Sequence, residues 1–135
     1  MSYEVFVYKF ENGDAASIPM EELNNVLFGY GRIEEGHFGL EFISEVGDIC
    51  EMSGVISDDK GNIIGVSFNR PTIDKILSQI IFDLLSIKNT CFFGSDLEFM
   101  QSRNDLGNNF PESLRAHFPD GPEIISKAGD SWPLK

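Results

Sequence analysis

The chain has 135 residues, 41% of them hydrophobic, and its aromatic side chains are 12 Phe, three Tyr and one Trp; this length fits one domain whose core needs no metal or disulfide staple. Its 22 Asp and Glu against 10 Lys and Arg give a formal charge of −12, which repels phosphate backbones and argues against DNA, RNA and anionic membranes as partners. No window approaches the roughly 18 apolar residues of a membrane span, and the opening MSYEVFVYKF has no basic segment ahead of its apolar run, so the expected location is the cytoplasm.

The first predicted element is a strand through Tyr3–Phe10, dense in β-branched and aromatic residues and closed by the turn residues Asn12-Gly13-Asp14. Pro19 opens a helix whose early Glu21 and Glu22 suit its positive end, and Met20, Leu23, Val26 and Leu27 recur at helical spacing until Gly29. From His37 to Ser44 the alternation sets Phe38, Leu40 and Phe42 opposite Glu41, the pattern of a half-buried strand. Ile49 to Ile56 and Ile63 to Phe68 read as two more strands joined by the polar turn Ser57–Asn62, and with the preceding one they make an antiparallel meander.

After Asn69-Arg70-Pro71, the segment Thr72 to Lys88 carries Ile73, Ile76, Leu77, Ile80, Ile81, Leu84 and Leu85, the steps of three and four that mark a long amphipathic helix. Thr90-Cys91-Phe92-Phe93 reads as a short last strand and Pro111 to Phe118 as a short helix. The expected fold is therefore a single α+β domain over residues 1–135, with an antiparallel sheet of about four to five strands, one long central helix and one or two shorter helices packed on it.

Chemistry is hard to find. His37, Cys50, Cys91 and His117 stand singly, without the paired spacing of a zinc site, and the two cysteines are expected to be reduced and buried. Asp58-Asp59-Lys60-Gly61-Asn62 lacks the alternating ligands of a calcium loop, and Gly29-Tyr30-Gly31 follows a helix instead of a strand, the wrong context for dinucleotide binding. No nucleophile stands beside a base, and Glu34-Glu35 is a solvated pair before it is an acid–base pair. The expectation is a chain without catalytic residues, metal or cofactor.

What remains is acid. Glu34, Glu35, Asp58, Asp59, Asp96 and Glu98 are predicted to lie in loops, where they can pair with Lys and Arg of a basic partner while Tyr30 and Phe99 supply anchoring area. The layout, with Phe68-Asn69-Arg70-Pro71 leading into an apolar helix and then Thr90-Cys91-Phe92-Phe93-Gly94, resembles the small immunity proteins of bacterial polymorphic toxin and contact-dependent growth inhibition systems. That resemblance implies a protein that occludes or distorts the active site of a cognate toxin, often a nuclease with a basic groove. Two other readings compete with it: a small-molecule-binding or enzymatic domain with its pocket between the sheet and the 72–88 helix, and an adaptor subunit of another complex.

Overall fold

The computed structural model describes residues 3–37, 39–72 and 75–131. Among them run the strands β1 (Glu4–Glu11), β2 (Asp14–Ala15), β3 (Gly31–Gly36), β4 (Gly39–Ser44), β5 (Met52–Ser57), β6 (Ile63–Asn69), β7 (Thr90–Gly94), β8 (Met100–Ser102) and β9 (Glu123–Ile124). The helices are α1 (Met20–Leu27), α2 (Lys75–Leu84) and α3 (Glu112–Arg115). The strands form one sheet in the order β3-β4-β5-β6-β1-β7-β8-β9, with β2 paired to β1. Every pairing is antiparallel except β8 with β9.

This corrects the expected fold class. Among the described residues the molecule is a nine-stranded mixed sheet with three α-helices, mostly sheet, instead of four to five antiparallel strands around one long helix. The added strands are β2, β3, β8 and β9. Three of them have two or three residues, too few for any alternation to show. The fourth, Gly-Arg-Ile-Glu-Glu-Gly, is an edge strand with one apolar residue, and edges are commonly charged because charge discourages pairing with a second chain.

The long helix is also shorter than its apolar pattern suggested. After Leu84 the turn tightens, with the Ser86 amide bonding the Asp83 carbonyl and the Ile87 amide bonding the Leu84 carbonyl. Asn89 then turns left-handed at φ 63°, and the Thr90 hydroxyl donates to the Ile87 carbonyl at 2.7 Å. Carbonyls orphaned at a helix end are satisfied in this way and the helix stops. Phe38 and Ile73, each assigned above to an apolar face, lie outside the described residues.

Alternation along the strands gives the sheet two faces. On one, Val5, Val7, Val66, Phe68 and Phe92 join Leu23 and Leu27 of α1 and Leu77, Ile80, Ile81 and Leu84 of α2 in the main core. On the other, Phe10, Cys91 and Met100 are covered by Leu106 and Phe110 of the C-terminal segment, with Leu114 and Phe118 packed alongside. Neither cysteine is in a disulfide: Cys91 is buried and Cys50 half-buried.

Candidate protein-binding face

The register separates the six carboxylates singled out above. β1 runs antiparallel to β6 and β7, so the β5–β6 turn with Asp58 and Asp59 lies where β1 ends. The β7–β8 turn with Asp96 and Glu98 lies where β1 begins. The two turns stand about 25 Å apart, the length of an eight-residue strand. Glu34 and Glu35 are not in a loop at all: they belong to the edge strand β3 and point to opposite faces, since Glu34 is registered with Glu41 and Glu35 with Leu40.

Three of the six have local structural partners. Asp58 Oδ1 accepts from the amides of Lys60 and Asn62, each at 2.9 Å, and the Asn62 amide, then that of Lys60, holds its carboxyl below the usual range. Asp96 Oδ1 accepts from the Tyr3 hydroxyl at 3.3 Å and the Glu98 amide at 3.2 Å. Glu34 meets Arg32 Nε at 2.7 Å, and the same guanidinium reaches Glu45 at 3.2 Å. Glu35, Asp59 and Glu98 are exposed. The expected anchors are half-buried: the Tyr30 hydroxyl donates to Asp83, and the Phe99 ring packs on Phe92 at 5.2 Å.

The register brings together other residues. Phe93, Phe6, Ser67, Gly54, Glu41 and Glu34 form one transverse row on a single face, each registered with the next across β7, β1, β6, β5, β4 and β3. The row passes from aromatic, through two small residues, to two carboxylates. At its aromatic end Phe6, Tyr8 and Phe93 touch, with ring centroids 5.5 to 5.8 Å apart. Tyr8 lies over Gly65, where a Cβ would come within 2.4 Å of the ring. At its acidic end the Glu41 carboxylate rests on Gly36 and leaves Gly54 open toward solvent. Glu34 and Glu41 are like charges placed directly opposite, a pairing that costs stability; Arg32 on the same strand offsets it.

Beside Gly54 the sheet parts. Among the described residues β4 and β5 are in register at Glu41 and Gly54 alone, and toward Ser44 a cleft of about 280 Å³ opens between them. Each wall is bonded outward. Ser44 is registered with Gly31 and the Glu45 amide bonds the Tyr30 carbonyl at 2.8 Å. Opposite, the Glu51 amide bonds the Asn69 carbonyl at 2.9 Å, while the Thr72 amide and hydroxyl both take the Ile49 carbonyl. Gly47, at φ 127°, makes the turn between the walls, in a conformation only glycine adopts freely.

Phe42 and Ile49 are buried at the base of this cleft and Met52 is 49% exposed beside it. Glu41, Asp48 and Glu51 line it, and no Lys, Arg or His does among the described residues. Arg70 reaches Glu51 from outside at 3.1 Å. Cys50 also lines the cleft, and burial pushes its thiol up to about 11. Sequence reasoning saw Glu41 as the polar side of a strand; that it and Asp48 line one cleft depends on long-range pairing.

Among the described residues no group of three or more His, Cys, Asp or Glu could hold a metal ion, and no helix is long and apolar enough to cross a membrane. Comparison with protein-family models, with curated proteins and with solved structures finds no match to this chain.

Proposed function

We propose that this chain works in the cytoplasm by binding a basic protein, and that the bound partner is a toxin domain that it neutralises as an immunity protein. The observation that supports the reading best is the open sheet face between β3 and β1, where carboxylates, an exposed Met52 and a half-buried aromatic cluster lie side by side on a chain of charge −12. Such a surface suits an interface: aromatic and thioether groups give contact area, and the surrounding charge steers a basic partner into place. The pocket between sheet and α2 that a small-molecule function would need is filled by Val66, Phe68, Leu77, Ile80 and Ile81, all fully buried.

The test is co-expression with the product of the adjacent reading frame. Rescue of growth by this chain alone, with co-purification of the two proteins, is expected. The association rate should fall steeply with salt as the Debye length shrinks from roughly 30 Å at 0.01 M to about 8 Å at 0.15 M. A folded chain that neither rescues growth nor forms a complex would defeat the proposal.

A further inference from the structure

We propose that the outer edge of β3 pairs antiparallel with the same edge of a second copy of this chain, the two Ile33 residues lying directly opposite each other on the twofold axis. The inference does not depend on the toxin reading. β3 is the last strand of the sheet, and among the described residues β4 is its only strand neighbour. The Tyr30 carbonyl accepts the Glu45 amide at 2.8 Å, and the register then runs unbroken to Gly36 and Gly39. Because antiparallel bonding alternates along a strand, Arg32, Glu34 and Gly36 turn their backbone groups to β4, and Gly31, Ile33 and Glu35 turn theirs outward. Outward groups of this kind are a template for another strand.

The side chains select the occupant and the register. A charged row usually keeps an edge single, but this row carries both signs: Arg32 and Glu34 share one face and are both exposed. A twofold axis through Ile33 sets Arg32 of each copy opposite Glu34 of the other, in the non-hydrogen-bonded positions where opposing side chains come closest. Four charges then stand at the corners of a quadrilateral with signs alternating around it, and the guanidinium has donors enough for both of its neighbours. An axis through Arg32 or through Glu34 would set like charges opposite instead. The register through Ile33 also places an arginine on the free side of Glu34, whose other side faces Glu41, a like charge that no ion pair engages among the described residues. On the opposite face Ile33, half-buried at the margin of the main core, meets its own copy, and Glu35 meets only Gly31. Phe28, which follows α1 just ahead of this edge, is 87% exposed, apolar area that a neighbouring chain can cover.

The experiment is sedimentation equilibrium of the full chain at about 0.15 M salt, which screens the repulsion between two chains of charge −12 beyond about 8 Å, with amide spectra of the ¹⁵N-labelled chain under the same conditions. One short strand pair is a small interface, so the passage from monomer to dimer is expected between about 10 µM and about 1 mM. Over that range the amides of Ile33 and Glu35 should shift with concentration while those of Asp59 and Glu98 hold still. Arg32→Glu alone and Glu34→Arg alone should each weaken the dimer about tenfold, because each sets like charges opposite. An equimolar mixture of the two variants should associate as tightly as the parent, since every charge then meets its opposite, and a merely structural effect would not give that rescue. Monomer mass throughout the range, concentration-dependent shifts confined to other parts of the chain, or a mixture of folded variants that associates no better than its components would each overturn the proposal. Shifts of Ile33 and Glu35 that appear only when acetyl-(Lys-Val)₃-amide is added would give the edge to a foreign strand and overturn it as well. If either variant fails to fold, the mass and amide shifts of the unaltered chain decide the matter.

Discussion

The face of the sheet that α1 and α2 cover and the face left open between β3 and β1 come from the same strands, yet their side chains answer to different demands. On the covered face Val5, Val7, Val66 and Phe68 are 0 to 1% exposed and interlock with two helices. On the open face the same strands present Phe6, Ser67, Gly54 and Glu41, none of them fully buried. One face carries the main core, and the other sets aromatic, small and acidic residues side by side. Strand alternation makes this division possible, because a substitution on one face leaves the side chains of the other where they were.

The largest expected contrast lies in stability. Ile80→Ala or Leu84→Ala removes a side chain at most 1% exposed and should cost about 2–5 kcal/mol, read as a lower urea midpoint. Met52→Ala should stay within about 0.5 kcal/mol of the parent. Equal losses on both faces would show that the open face is core as well.

Two glycines of the open face sharpen the comparison. A Cβ at Gly65 would come within 2.4 Å of the Tyr8 ring and 2.5 Å of the Val7 carbonyl, whereas one at Gly54 meets only the Ser67 hydroxyl, at 3.2 Å. Gly65→Ala should therefore cost about 1–3 kcal/mol by displacing Tyr8. Gly54→Ala should be close to neutral, since the hydroxyl can rotate away and alanine suits a strand better than glycine. Equal effects on the urea midpoint would show that the aromatic end of the row is no more tightly packed than its centre.

The smallest effect concerns pH. Backbone amides hold the Asp58 carboxyl below its ordinary value in the folded chain, so the unfolded chain takes up that proton at the higher pH. The stabilisation is fully present above the unfolded value of about 3.9 and is lost as pH falls through the folded value. Asp58→Asn should leave a smaller drop in urea midpoint between pH 6 and pH 3 than the parent shows. An identical drop would mean that the turn bonds to the carboxylate contribute nothing.

Elements with a long repeating pattern were legible in the sequence. β1, β6 and β7 and the first helix lie close to where their residues predicted, and Leu77, Ile80, Ile81, Leu84 and Leu85 are buried as the stripe implied. Ile76, from the same stripe, is 36% exposed. What escaped was set by distance. β8 exists because Met100 and Gln101 lie beside Phe93 and Phe92, and β9 because Glu123 and Ile124 lie beside Gln101 and Ser102, contacts that two or three residues of sequence cannot announce. The candidate site was legible in its charge and illegible in its position: Glu41, Gly54 and Ser67 become neighbours only once three strands are in register. Asp58 was misleading for a different reason, since its carboxylate is occupied by its own turn, the ordinary behaviour of Asp at such a place.

The place of β1 in the strand order also governs how the chain must be made. Of these strands β1 is made before the others, yet it lies between β6 and β7, registered with residues 65–69 and 90–94. A nascent chain halted before β7 therefore holds a β-rich segment with at least one flank of β1 unpaired, a state open to aggregation until the later strands arrive. Deleting residues 4–11 would not trim the sheet at its margin. It would divide β3–β6 from β7–β9 and leave two half-sheets with no strand to join them.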